Sequence, residues 1–263
     1  MPSRTTRSIT LAGPNAATFA NAQFGSAVLD LGVGRWQWSG WMDPKGRVRA
    51  LLQIARLAPD RLVAVPRGGD ADVLAADLKR FVFRASVTIA VSDTLAIADG
   101  AARADGSAEQ DDDGTIVLGE GDASLRIGAV RGDDAWVLRH IEKGFAWLPD
   151  NLLDRLLPPA LSMERLHAVA FDKGCFPGQE IAARLHFLGG HKKHLHAVRS
   201  DAVLCDGDLL ANNGKDIGSV LMCHASASHG NTMSLVVLDD ACVDGTTVET
   251  DATRLHIVST FEA

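Results

Sequence analysis

The longest apolar runs in this chain, such as Ser234–Leu238, are of strand length. None approaches the ~20 residues of a membrane-spanning helix. Between the runs stand Gly, Pro, Asn and Asp in turn-forming combinations. The chain therefore has to fold as many short elements joined by tight connections. With 263 residues, 46% hydrophobic and 22% charged, it has ample apolar surface for a core, and collagen, coiled coil and wholesale disorder are excluded. The formal charge is −7, from 33 acids against 26 bases, a poor match for wrapping phosphates. No nucleic-acid partner and no membrane are expected.

Four cysteines, at 175, 205, 223 and 242, include no CxxC pair. Zinc-ribbon, thioredoxin and ferredoxin signatures are absent, and a disulfide framework does not suit a chain of this length. The expected compartment is cytoplasmic. Arg4 and Arg7 precede the first acid, Asp30, and read as a short basic tail before the first strand.

Along the chain, Ser8–Leu11 is a short apolar stretch, and Asn15 is placed to cap a helix running through Phe19 and Gln23. Val28–Val33 reads as a strand. Trp36, Trp38 and Trp41 suggest a strand with its tryptophans largely on one face. Asp43-Pro44-Lys45-Gly46 has the chemistry of a turn. Arg47–Ala58 and Arg61–Val65 form a hairpin around Pro59-Asp60. Asp70–Arg84 is the clearest helix, with Val73, Leu74, Leu78 and Phe81 on one face and charges that suit the macrodipole. Val87, Ile89 and Val91 alternate as a strand. Strands followed by a helix and another strand, with short links, argue α+β with antiparallel sheet.

Ala98–Gly114 is the most polar stretch and reads as an exposed loop; its run Asp111–Asp113 lacks the frame of a calcium loop. Ile116–Leu118, Leu125–Val130 and Ala135–Ile141 read as strands. Pro149 and Asn151 open a helix that Pro158-Pro159 ends, and Ser162 caps a short helix through Val169. From Ala197 onward the runs are short and turn-bounded, the rhythm of a small β-barrel.

Residues 171–196, FDKGCFPGQEIAARLHFLGGHKKHLH, carry the most chemistry. Cys175 lies in a Gly/Pro-punctuated turn before a helix that begins near Gly178, with Lys173 two residues earlier. Both features favour the thiolate. The thiol is either a reactive or metal-ligating group, or a small residue filling a tight turn. His186, His191, His194 and His196 invite a metal, but Gly189-Gly190 interrupts them and Lys192 and Lys193 repel a dication. No metal site is assigned. With Arg184, this cationic stretch suits a polyanionic ligand tail.

KGCFPGQE, with Lys173, Gly174, Cys175, Phe176, Gly178, Gln179 and Glu180, resembles the signature K-G-C-[FY]-x-G-Q-E of the YgfZ family of folate-binding proteins. These are relatives of the T-protein, the aminomethyltransferase of glycine cleavage. Ala182-Ala183-Arg184 and His191-Lys192-Lys193 resemble the family's flanks. Ile141–Phe145 resembles its I-E-x-G motif, and Asp43–Arg47 its D-x-[KR]-G-[KR]. The family's F-L-Q-G-Q segment appears only as FANAQFG at 19–25.

The resemblance implies an α+β fold of three small domains around a central hole, with a C-terminal β-barrel. The implied division is 1–48 with 115–192, then 49–114, then 193–263. It implies a tetrahydrofolate cofactor and an accessory role in iron–sulfur cluster synthesis or repair, with iron–sulfur enzymes or assembly proteins as partners. Trp136 would stack on the pterin, Glu142 would accept from its N–H donors, Lys192 or Lys193 would meet the glutamate tail, and Cys175 would be the functional thiol. The alternative is a folate-dependent aminomethyltransferase or other one-carbon transferase. Ala27-Val28 stands where such an enzyme would bring a carboxylate, which weighs against it.

Overall fold

The computed structural model describes residues 4–225, 232–239 and 244–262. In chain order the elements are β1 (Thr5–Thr6), β2 (Ile9–Ala12), α1 (Ala16–Gln23), β3 (Arg35–Met42), β4 (Val48–Ala58), β5 (Arg61–Pro66), α2 (Ala71–Lys79) and β6 (Thr88–Val91). There follow β7 (Leu95–Gly100), β8 (Ala108–Gln110), β9 (Ile116–Gly119), β10 (Ser124–Gly128), α3 (Ala135–Lys143) and α4 (Gln179–Leu188). The last stretch holds β11 (Lys193–Ser200), β12 (Leu209–Asn212), β13 (Lys215–Ala225), β14 (Thr232–Asp239), β15 (Thr247–Glu249) and β16 (Arg254–Phe261). No helix among the described residues is long and apolar enough to cross a membrane.

The strands form three antiparallel sheets, in the orders β3-β4-β5-β2-β6, β1-β7-β10-β9-β8 and β12-β13-β14-β11-β16-β15. The fold mixes helix and sheet and is mostly sheet. In the first sheet, Pro59-Asp60 makes the tight β4–β5 hairpin, with Ala58 opposite Arg61. Asp70 caps α2, its Oδ1 accepting from the Asp72 N–H at 2.8 Å. Leu74, Ala75 and Leu78 turn α2 onto the sheet. Val73 and Phe81, placed on the same face by periodicity, are exposed, because the buried stripe is narrower than the apolar one.

Strand parity divides the first sheet between two cores. Leu52, Ile54 and Trp41 pack with α1 and α2. Trp36, Trp38, Leu51, Ala55, Val63 and Val65 face the other core, where α3 and the second sheet meet them. The three tryptophans therefore do not share one face.

Other expectations are corrected by tertiary context. Ala135–Ile141 is not a strand but α3: Trp136, Val137, His140 and Ile141 are buried at helical spacing, and Gly144 ends the helix at φ +68°. Val28–Asp30 is a single 3₁₀ turn rather than a strand, and the helix expected after Pro149 is replaced by two 3₁₀ turns, Asp150–Leu152 and Pro158–Leu161. Asn15 does not cap α1, because its Oδ1 is taken by the Ser86 N–H at 2.8 Å. Ser162, at φ +52°, sits in a left-handed turn instead of capping a helix. The polar stretch 98–114 contributes β8 to the second sheet.

The domain borders expected at 48/49 and 114/115 fall inside ladders, since β3 pairs with β4 and β8 with β9. The C-terminal sheet is a curled half-barrel. Its outer strands β12 and β15, only four and three residues long, share no ladder among the described residues. One clasp spans the seam: the Asp251 N–H donates to Ala211 O at 2.7 Å, and its carboxylate accepts from the Asn213 and Gly214 N–H groups.

Candidate functional site

Two of the sequence motifs meet as interlocking turns. Asp43 Oδ1 accepts from the Lys45 and Arg47 N–H groups at 2.8 Å, which closes the first turn. Gly46 has φ +75°, and a Cβ there would lie 2.7 Å from Ile181 Cβ. Gly178, at φ +80°, would bring a Cβ within 2.7 Å of Asp43 O. Only glycine supplies both the left-handed backbone and the close approach. The D-P-K-G and K-G-C-F-P-G-Q-E motifs are thus one packed unit.

Within that unit each motif residue has a distinct place. Phe176 is buried in the central core. Lys173 turns inward and donates to the carbonyls of Asn21, Phe24 and Ser26, all within 2.8 Å. Burial lowers its pKa to about 8. Gly174 and Cys175 are exposed on the outside of the turn, Gln179 and Glu180 form the first turn of α4, and Arg184 is exposed further along it.

Beside this unit lie two adjoining clefts of about 540 and 660 Å³, which share Arg35, Trp36, Gln37 and His167. Clefts of this size suit a small organic ligand. The smaller is floored by Trp36, Trp38 and Phe145 and rimmed by Asp105, Glu120, Lys143 and Arg165. Trp38 and Phe145 approach to 5.1 Å between ring centroids. The larger adds Asp30, Phe171 and Asp172.

Glu120 connects the smaller cleft to a buried polar network. Its Oε1 lies 2.8 Å from His140 Nε2, and its Oε2 accepts from Arg139 Nε and Nη2 at 3.2 and 3.0 Å. Arg139 also pairs with Asp99 at 2.5 Å. On the far side Arg67 Nη2 lies 2.8 Å from His140 Nδ1. A guanidinium only donates, so Nδ1 is the acceptor and Nε2–H donates to Glu120. Burial, reinforced by the Arg67 charge, lowers the His140 pKa to about 4, and the ring is neutral. Burial alone would raise the Glu120 pKa, but the His140 hydrogen bond and the Arg139 charge outweigh it and hold the carboxylate below its usual range. Arg67 is boxed by Trp38, Trp136 and Trp147, at 5.7, 5.1 and 5.1 Å from the ring centroids.

Trp136 belongs to that box. It is wholly buried, lies 5.0 Å from the His140 ring and lines neither cleft. Glu142, on α3, is exposed and also lines neither. Lys192 is exposed. Lys193 opens β11, and its Nζ is 3.5 Å from Asp216. The structure gathers the motif residues together, yet it puts Glu120, Arg35, Phe145 and Arg165 at the cleft. Of these four, only Phe145 falls within a sequence motif.

His186 stacks on Phe171 at 4.4 Å and meets Glu164 at 2.7 Å. Among the described residues no group of three or more His, Cys, Asp or Glu could hold a metal ion. Cys205 is exposed in a turn, not a strand. Cys223, in β13, is buried 3.1 Å from Asp206 Oδ1, and burial pushes its thiol up to about 12. Cys242 lies outside the described residues.

No protein-family model matches the chain. The tRNA-modifying protein YgfZ of Aliivibrio fischeri (strain MJ11) is 23% identical over 261 residues, covering 88% of this chain and 81% of that protein. The tRNA-modifying protein YgfZ of Cronobacter sakazakii is 24% identical over 291 residues, covering 94% and 88%. Among solved structures, the glycine cleavage system aminomethyltransferase T from Bartonella henselae matches with a TM-score of 0.76 at 17% identity, covering 97% of this chain and 83% of that one.

Proposed function

This chain is a homologue of the YgfZ proteins on the fold of a glycine-cleavage T protein, and from that premise we propose that it binds tetrahydrofolate or a derivative in the smaller cleft. The observation that carries this reading is the Glu120 carboxylate, ionised and fixed at the edge of an aromatic floor. A pterin has flat apolar faces and an edge of N–H donors. It stacks on Trp36, Trp38 or Phe145 while Glu120 accepts from the edge, the role the family resemblance implies for Glu142. Arg35, Lys143 and Arg165 supply positive charge for a glutamate tail. In this reading Trp136 supports the site by boxing Arg67, and Lys192 and Lys193 are available only to an outlying part of the tail.

A bound tetrahydrofolate supplies a carrier for a one-carbon unit. The protein's own part is to orient it and shield it from water. Cys175, exposed at the apex of the glycine-locked turn, is offered to a protein partner rather than to the cleft. The accessory role toward iron–sulfur enzymes rests on the family resemblance, with the exposed thiol as its supporting feature, and the name of the homologues makes tRNA-modifying enzymes the natural clients. The transferase reading draws support from one observation: Asp30 and Asp172 bring carboxylates into the adjoining cleft although Ala27 does not.

Calorimetric titration with tetrahydrofolate tests the proposal. The expected result is saturable binding that quenches tryptophan fluorescence and weakens at least about tenfold in Glu120→Gln, the scale of one charge-assisted hydrogen bond. Absence of binding to the unmodified protein rejects it. Transfer of an aminomethyl carbon to the bound folate would select the transferase.

A further inference from the structure

Gln53 is wholly buried in the middle of β4, and neither its Oε1 nor its Nε2 has a hydrogen-bond partner among the described residues. Leu52 and Ile54 on either side face the α1/α2 core, so strand alternation turns Gln53 to the other face, with Leu51 and Ala55. It stands directly opposite Trp38 on β3 and Val65 on β5. A primary amide in such surroundings loses its hydrogen bonds to water and gains none, which is costly. Methionine or leucine would fill the same space without that cost. Gln53 lines neither cleft, but Trp38 opposite it floors the smaller one, and a residue that breaks the packing rule directly behind a ligand cleft points to a partner that arrives with the ligand.

We infer that Gln53 reads the lactam edge of the pterin ring, an inference that rests on the folate reading above. Opposite residues on neighbouring strands have Cβ atoms only about 5 Å apart. A ring stacked on Trp38 therefore carries its edge over position 53. A glutamine amide presents one N–H donor and one C=O acceptor side by side. The lactam of a pterin presents the complementary N–H and C=O, so the two close a pair of hydrogen bonds. Phe145, half-buried and 5.1 Å from Trp38, covers that ring at the cleft, so in this pose it turns aside and the pterin stacks on Trp38 rather than on Phe145. Glu120 and Gln53 then divide the work: the carboxylate takes the amino side of the ring, and the amide takes the carbonyl side.

The test compares Gln53→Met with the unmodified full-length chain by calorimetry, using tetrahydrofolate and the tail-less tetrahydropterin, and by thermal unfolding without ligand. The expected result is a free variant that melts no lower than the unmodified protein, and an affinity for both ligands reduced by the same factor, about tenfold or more. Unchanged affinity makes Gln53 a core filler and overturns the inference while leaving the folate reading intact. A loss confined to tetrahydrofolate means that Gln53 reads the tail, and this also overturns it. A lower melting temperature shows that the amide has a partner in the free protein and removes the premise. If the unmodified chain binds neither ligand, the folate reading fails first and this inference with it. Gln53→Leu repeats the comparison should the methionine variant not fold.

Discussion

The two faces of the first sheet are built from the same strands and end in opposite chemistry. On one, Ile9, Leu11, Leu52, Ile54, Leu62 and Ala64 are closed under α1 and α2 in an apolar core, with the Arg49–Asp77 ion pair joining β4 to α2 at its edge. On the other, Trp36, Trp38, Val63 and Val65 share their core with an unpartnered amide, a boxed guanidinium, a neutral imidazole and a carboxylate. The first face is a close-packed core. The second carries groups that a purely structural core would shed, and they all lie within one or two side chains of the cleft. One face of the sheet is a closed apolar core, and the other carries a buried polar network next to the cleft.

The sharpest way to break this comparison is to remove Glu120. Glu120→Ala leaves Arg139 and the Arg67–His140 pair without their shared countercharge, and breaking a buried pair from one side costs about 3–5 kcal/mol. Urea unfolding measures it, and a loss below about 1 kcal/mol would mean that the network is not what holds this face.

The next effect in size is a pH dependence belonging to the polar face. His140 is neutral when folded, with its pKa lowered from 6.5 to about 4. Between these values the unfolded chain binds more protons, so stability is complete above pH 6.5 and falls as the pH drops toward 4. The full loss is on the order of 3 kcal/mol. The lowered pKa of Glu120 acts in the same direction. Unfolding followed from pH 7 to 4 should show a steep decline that His140→Gln flattens.

The smallest effect sharpens the other side. Asp70→Ala removes the cap of α2 over the apolar face and should cost about 1 kcal/mol in the same unfolding assay, with tetrahydrofolate affinity unchanged.

What could be read in the sequence follows the same division. The hairpin at Pro59-Asp60 and the start of a helix at Asp70 are local chemistry, and the structure has both, although α2 ends at Lys79 rather than at Arg84. The two glycine motifs are legible as turns, but only the folded chain shows that Gly46 and Gly178 serve each other. Residues 135–143 mislead because Trp, Val and Ile favour strands. The decisive signal is the pairing of Trp136 and Val137 with His140 and Ile141, together with Gly144 as a stop. Glu120 sits in Gly-Glu-Gly-Asp, which reads as a surface turn, and nothing local announces that Arg139 and His140 will fold over it. Gln53, flanked by Leu52 and Ile54, looks like the solvent-facing member of an alternating strand. Only the folded chain shows that both faces of the sheet are covered there.

The three carbonyls held by Lys173 have a consequence for the order in which the chain matures. They belong to residues lying 152, 149 and 147 positions earlier. On a ribosome, the segment after α1 leaves the tunnel long before its anchor exists. The first sheet, whose strands all lie between residues 9 and 91, can assemble meanwhile from its two hairpins, β3–β4 and β4–β5, and the longer-range pairing of β2 with β5 and β6. The segment 21–26, already tied to β3 through Gly25 and Ser26, has to wait for this last anchor until residue 173 emerges. The same lysine that stands two places before Cys175 therefore acts as the late latch of biogenesis: the thiol reaches its final setting at the moment the N-terminal loop does.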